Sequence, residues 1–253
     1  MKHPINSLFA GLCVCVGLLA GPGVNATQDQ GTVLITGANR GIGLEFARQF
    51  RERGYDVIGT AREPEQAGEL HQLGVQVEQL DVADDGSARS LAQRLQGRSI
   101  DILINNAGII GQPARSFTDL DFDKMAYTYQ VNALGPMRVT RALYDNLKQG
   151  KGRKIVNITS VMGSIEMNFG GGYDYRASKV ALNMLTNTLA RELGKDGFIS
   201  VVIHPGWVQT DMGGNSAPVT PEESIRGMIA VIDKLESESN GKFFEYTGKE
   251  MPW

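Results

Sequence analysis

The chain has 253 residues, 42% of them hydrophobic and 21% charged. That composition supports a packed core and excludes a disordered chain. The formal net charge is -3 and no lysine–arginine cluster stands out, which argues against a nucleic-acid or acidic-membrane surface role.

The first 26 residues differ from the rest. Lys2 and His3 precede an apolar run over 8–20 (LFAGLCVCVGLLA). Gly21, Pro22 and Gly23 break it, and Val24, Asn25 and Ala26 offer small residues for a cut. A positive start, a short apolar core and a small-residue exit make up a secretory signal. The run is shorter than the roughly 20 apolar residues of a membrane span. Residues 1–26 are therefore expected to be a signal peptide or hydrophobic N-terminal segment, and 27–253 the folded domain. An uncleaved tail or a misassigned start are the alternatives. Cys13 and Cys15, the two cysteines, lie in this segment. Its removal would leave no cysteine for a disulfide, a nucleophile or a metal. No metal site is expected.

From residue 32 short apolar runs alternate with helical patterns. Strands are expected at 32–36, 56–60, 75–80, 101–104, 154–159 and 200–203, with a last one near 242–245. Residues 42–53 place Ile42, Phe46 and Phe50 on one helix face. Two longer helical stretches cover 121–147 and 173–193, and Ala177, Ala181, Leu185 and Leu189 read as a core stripe of the second. The alternation predicts an α/β fold: a single doubly wound Rossmann-type domain with a mostly parallel central sheet. No internal repeat, long linker or low-complexity tract divides it.

The first strand runs into TGANRGIG, with glycines at 37, 41 and 43 ahead of a helix. Glycine lets the backbone turn sharply and come close to a pyrophosphate, and the helix N-terminus offers free N–H groups to it. The spacing G-x-x-x-G-x-G departs from the G-x-G-x-x-G dinucleotide fingerprint. Arg40 lies in this loop. Arg62 follows the second strand, where an NAD site usually carries an acid. An acid would repel a 2′-phosphate and an arginine can hydrogen-bond it, so NADPH is expected, with NADH possible.

Tyr175 and Lys179 stand four apart in a helical pattern and share a face. An ammonium near a phenol favours the phenolate, lowering the tyrosine pKa from about 10 and making it a usable general acid/base. Tyr173 has no lysine four residues on. Ser160 ends the strand KIVNIT, at the carboxyl edge where ligands of open sheets bind. Asn132 lies in YQVNALG, and Asn105-Asn106-Ala107-Gly108 follows the fourth strand. Each of these alone also fits a structural cap or turn.

In chain order TGANRGIG, NNAG, the asparagine of YQVNALG, the serine of NITS, YRASK and HPGWVQTDM resemble the short-chain dehydrogenase/reductase family, from residue 32 to the C-terminus. TGANRGIG, the stretch around YRASK and the ending GKFFEYTGKEMPW look most like the small carbonyl reductases related to the sniffer and C-factor proteins. The resemblance implies that Tyr175 passes a proton to the carbonyl oxygen as hydride arrives from the nicotinamide. Lys179 would lower its pKa and bind the nicotinamide ribose, Ser160 would orient the reacting oxygen, and Asn132 would hold a relay water. Thr36, Gly37, Arg40, Gly41, Ile42 and Gly43 would line the phosphates and ribose. Arg62 would face the 2′-phosphate, Asp81 and Val82 the adenine, and Asn105, Asn106, Ala107 and Gly108 the sugar and nicotinamide side. Pro205, Gly206, Val208 and Thr210 would meet the nicotinamide. The chain departs from the family in three places. The interval from Ser160 to Tyr175 is long and holds Gly170-Gly171-Gly172. His204 precedes Pro205-Gly206 where the family more often has asparagine or arginine. Residues 213–218 form a short polar segment, read as a lid over the substrate.

The expected function is NADPH-dependent hydride transfer between nicotinamide and a carbonyl or alcohol carbon. An alcohol dehydrogenase working oxidatively, or a non-catalytic NADPH-binding sensor, are the alternatives. The expected partner is a small carbonyl or alcohol, with no nucleic acid. The resemblance implies a homodimer or homotetramer through the two long helices. The N-terminal segment points to an exported or membrane-associated protein, with a cytoplasmic one as the alternative. The intracellular supply of NADPH and the missing twin arginine pull against export. Fractionation of a tagged full-length chain is expected to find processed or membrane-bound protein; only unprocessed soluble cytosolic chain would overturn that.

Overall fold

A computed structural model of the protein describes Met1 and residues 30–111 and 116–253. Apart from Met1, the expected signal segment lies outside the described residues. Among the described residues no helix is long and apolar enough to cross a membrane.

Among the described residues seven strands form one sheet: β1 (Thr32–Ile35), β2 (Asp56–Ala61), β3 (Gln76–Gln79), β4 (Ile102–Asn105), β5 (Lys154–Ile158), β6 (Ile199–His204) and β7 (Phe243–Glu245). Their order is β3-β2-β1-β4-β5-β6-β7, and every pairing is parallel. The helices are α1 (Gly41–Glu52), α2 (Gly68–Gln72), α3 (Asp85–Arg94), α4 (Phe122–Tyr129), α5 (Gly135–Ala142), α6 (Tyr144–Gln149), α7 (Tyr173–Leu193) and α8 (Pro221–Asp233). The expected strands thus stand within a residue or two. Helices α2, α3 and α8 add to the expected set. The spacing of Ile225, Met228, Ile229 and Ile232 behind a Thr220 cap and Pro221 marks α8 in the sequence.

Side chains alternate across each strand and feed two cores. Val33 and Ile35 join α1 and α8 residues such as Phe46, Phe50, Ile225 and Ile229 on one face. Leu34 turns to the other, with Leu91, Val139, Leu147 and Leu193. A sheet buried on both faces can expose polar chemistry only at its ends. Strand order reverses at β1 and β4, so a crevice opens outside their carboxyl ends.

Two expectations are corrected. The stretch 121–147 is not one helix. A π turn over Gln130–Leu134 separates α4 from α5, with the Gly135 N–H donating to the Gln130 carbonyl. Pro136 follows. It lacks an N–H and its ring would strike a carbonyl one turn back, so a regular α-helix cannot run through it. Arg138 also donates to the Gln130 carbonyl, at 3.0 Å. The second correction is on α7. Ala177 is exposed, while Ser178, Lys179, Leu182, Asn183 and Thr186 are buried. The inward face of α7 is therefore largely polar, which an apolar-periodicity argument cannot detect.

Candidate active site

Strand β5 ends at Ile158 and leads through Thr159 into Ser160. The Ser160 Oγ accepts from the Met162 N–H at 3.1 Å, capping a short turn. The same side chain lies near enough to Tyr175 to draw the pKa of its phenol downward. Tyr175 and Lys179 lie on one face of α7, with the Lys179 Nζ 5.6 Å from the Tyr175 ring centre. Nζ donates to the Ile158 carbonyl at 2.8 Å. This bond ties α7 to the end of β5.

The protonation states follow from burial. Burial pushes Tyr175 up to about 12, against the opposing pull of its bond to Ser160. Burial also pulls Lys179 down to about 8. The expectation that Lys179 lowers the tyrosine pKa is therefore corrected: desolvation dominates, and the phenol keeps its proton at neutral pH. His204 at the end of β6 is pulled down to about 4 by burial, against the Glu245 carboxylate, and stays neutral.

Asn132 sits in the π turn and is 1% exposed. Its side chain accepts from the Ile109 N–H and donates to the Ile109 carbonyl, both at 2.8 Å. It also donates to the Ser178 hydroxyl at 3.0 Å. The asparagine thus fixes the segment after NNAG against α7.

The glycine loop is built for close approach. Gly37 and Gly41 have φ of 64° and 53°, in the left-handed region. A Cβ on Gly43 would collide with the Gly37 carbonyl and stand 2.6 Å from the Asn106 side chain. These positions shape one end of a cavity of ≈ 250 Å³. Of the predicted residues, Gly37, Arg40, Gly41, Ile42, Gly43, Arg62, Asp81, Val82, Asn106, Ala107, Gly108, Tyr175, Lys179, Pro205 and Thr210 line it. Arg40 and Arg62 are exposed, and Arg40 reaches across to Asp211 at 3.3 Å.

Other predicted residues do not line this cavity. The Thr36 hydroxyl accepts from the Asn106 and Ala107 N–H groups, each at 3.0 Å, so Thr36 shapes the loop and does not face a phosphate. Asn105 is 2% exposed and donates to Asn157 at 2.8 Å, which makes it a bridge between β4 and β5. Gly206, with φ of 85°, packs on Tyr246, and Val208 is buried beside the bridge to Val219. Conversely, Tyr127, Ile109, Asp211 and Met212 line the cavity without having been predicted. Asp211 and Met212 belong to HPGWVQTDM, so the motif pointed at them. Nothing in the sequence singled out Tyr127.

The family model described as short chain dehydrogenase matches residues 31–219. The chain belongs to the short-chain dehydrogenase/reductase family and is an NAD(P)(H)-dependent oxidoreductase. Among curated relatives, the C-signal of Myxococcus xanthus is 47% identical over 166 residues, covering 65% of this chain and 99% of that protein. The carbonyl reductase Sniffer of D. melanogaster superposes with a TM-score of 0.83 at 34% identity, covering 88% of this chain and 99% of that one. The NADPH-bound carbonyl reductase from chicken fatty liver gives 0.81 at 34%, with coverage of 88% and 98%.

The buried lysine has a measurable consequence. Its folded pKa lies below the ordinary 10.5, so the unfolded chain binds more protons between about 8 and 10.5. Lys179 therefore costs stability at neutral pH, and the cost fades as pH rises through that window. Lys179→Met is expected to raise the urea midpoint at pH 7, by a margin that shrinks towards pH 10. Urea unfolding of both proteins at pH 7 and pH 10 measures it.

Proposed function

We propose that the protein is an NADPH-dependent carbonyl reductase, with Tyr175 as the proton donor. The observation that carries this is that Tyr175 and Lys179, on one face of α7, line the same cavity as the glycine loop, with the Ser160 side chain close enough to act on the Tyr175 phenol. A phenol held protonated suits delivery of a proton to a carbonyl oxygen.

NADPH, when bound, supplies the hydride. The glycine loop fits such a dinucleotide, because a Cβ at Gly43 would strike the Gly37 carbonyl and Asn106 and push the loop out of the shape that lines the cavity. Gly41, Ile42 and Gly43 at the start of α1 would take the phosphates. Arg40 and Arg62 offer exposed guanidinium groups to a 2′-phosphate, and no acid stands directly after β2. Lys179 would bind the ribose nearest the reacting carbon, and Ser160 would hold the substrate oxygen beside Tyr175. Asn132 keeps the floor of the site in register. The chicken fatty liver protein, a carbonyl reductase bound to NADPH, supports both the cofactor and the direction.

The face formed by α4 and α7 exposes Phe122, Met184 and Ala177. That face supports pairing of two copies, and sedimentation of the purified chain as a monomer would reject it. The N-terminal segment remains the basis for proposing export or membrane association.

NADPH consumption by residues 27–253 with aldehydes, ketones and quinones tests the reaction. Turnover is expected, and Tyr175→Phe is expected to bind NADPH normally while losing roughly 10²–10⁴-fold in kcat. Full turnover in that variant would defeat the assignment. Arg62→Ala is expected to weaken NADPH about 10–100-fold and leave NADH unchanged, the effect of losing charge-assisted hydrogen bonds. Equal losses for the two cofactors would remove Arg62 from the 2′-phosphate site.

A further inference from the structure

The segment between Ser160 and Tyr175 is held in an unusual way. Its middle is anchored to the chain end: the Ser164 hydroxyl and the Glu166 N–H donate to the Trp253 carbonyl, at 3.3 and 3.1 Å. Its last part is not held by packing. Gly170, Gly171 and Gly172 have φ of 84°, 70° and 61°, and a Cβ on Gly170 or Gly171 would meet nothing within 4 Å. Gly172 packs on the Met162 side chain, but two successive left-handed residues with open space around them, Gly170 and Gly171, need another restraint.

Arg176 supplies one. It follows the tyrosine on α7 and is only 7% exposed. Its Nε donates to the Gly171 carbonyl at 2.8 Å. Its Nη1 reaches the Met162 carbonyl at a longer 3.5 Å. The guanidinium carbon lies 4.2 Å from the centre of the Phe169 ring, which is 77% exposed and covers it. Nη2 is buried with no hydrogen-bond partner. A buried cation is costly unless polar groups surround it. Here two carbonyls from opposite ends of the segment and one aromatic face do so. A single side chain thereby spans from the turn that Ser160 caps to the glycine run before Tyr175.

We infer that Arg176 is a positioning residue: it closes the Ser160–Tyr175 segment onto α7 and, through the Met162 peptide, holds the Ser160 hydroxyl against Tyr175. The route is short. The Met162 carbonyl faces Arg176, and the Met162 N–H donates to the Ser160 Oγ at 3.1 Å. That hydroxyl is the group that acts on the Tyr175 phenol. Phe169 acts as the cover that keeps water from the guanidinium. The inference rests on the carbonyl reductase reading, and it assigns the wall of the substrate site to a pair outside the cavity lining.

The test compares wild type with Arg176→Met, Arg176→Lys and Phe169→Ala. It reads kcat and KM for the carbonyl that the wild type reduces best, NADPH affinity by fluorescence titration, and amide hydrogen exchange over 161–172. Arg176→Met is expected to lower kcat/KM about 10–100-fold, the scale of a small misplacement of reacting groups. NADPH affinity is expected to stay within about twofold, and exchange over 161–172 to quicken; a merely structural loss would spread beyond that segment and weaken NADPH too. Arg176→Lys keeps the charge but loses the planar fork, and is expected to fall between the two. Phe169 is exposed, so Phe169→Ala is expected to fold and to raise KM several-fold, an effect of the size of one lost cation–π contact. Unchanged kinetics and exchange in Arg176→Lys and Phe169→Ala would overturn the inference, even if Arg176→Met does not fold. A wild-type chain that consumes no NADPH would defeat the reductase reading alone, and the exchange rates would still decide whether Arg176 holds the segment.

Discussion

A buried ammonium must find an oxygen, and in this protein the Lys179 Nζ finds the Ile158 carbonyl at the last residue of β5. That bond fixes the height of α7 against the sheet. Tyr175 lies one helical turn before Lys179, so its hydroxyl arrives beside Ser160, two residues beyond Ile158. Tyr175 and Ser160 are thus brought together by one desolvated hydrogen bond between a helix and a strand end. The strand end is itself rigid, because β5 is paired on both sides and buried on both faces.

Below this bond lies a polar layer that would be out of place in an ordinary core. Asn105 donates to Asn157, and Asn157 donates to Thr186. Thr159 donates to Asn183, and Asn183 donates to the Gly163 carbonyl. These bonds link β4, β5 and α7 by direction as well as by contact. Apolar packing tolerates small slides, whereas a chain of hydrogen bonds selects one register. The layer therefore holds the inner face of α7 in one register against β4 and β5.

Burial acts on the two titrating groups in opposite directions. It keeps the Tyr175 proton on and makes the Lys179 proton easier to lose. Both shifts cost folding stability near neutral pH or leave it unchanged, and neither would be selected for stability alone. Opposed shifts of this kind cluster at functional sites.

Much of this was legible in the chain itself. Alternating apolar runs gave the strands, because a sheet covered on both faces leaves continuous apolar stretches. The glycine spacing marked the loop after β1, because glycine takes the left-handed φ values at 37 and 41 without strain. The four-residue spacing of Tyr175 and Lys179 gave a shared helix face. The break of the 121–147 stretch was less visible, since a π turn depends on which carbonyl the Gly135 N–H reaches. The polar inner face of α7 was hidden for a similar reason: Asn183 and Thr186 read as solvent-facing until their partners on β5 are known. Thr36 and Asn105 show the same limit from the other side, lying in the right motifs but spending their polar groups on the scaffold. The sequence by itself determined the fold class, the family and the identity of the chemical groups, because these depend on local spacing. Only the tertiary structure decided which of those groups reach the cavity and what burial does to their protons, because solvent exclusion and long-range hydrogen bonds exist only once distant segments are packed together.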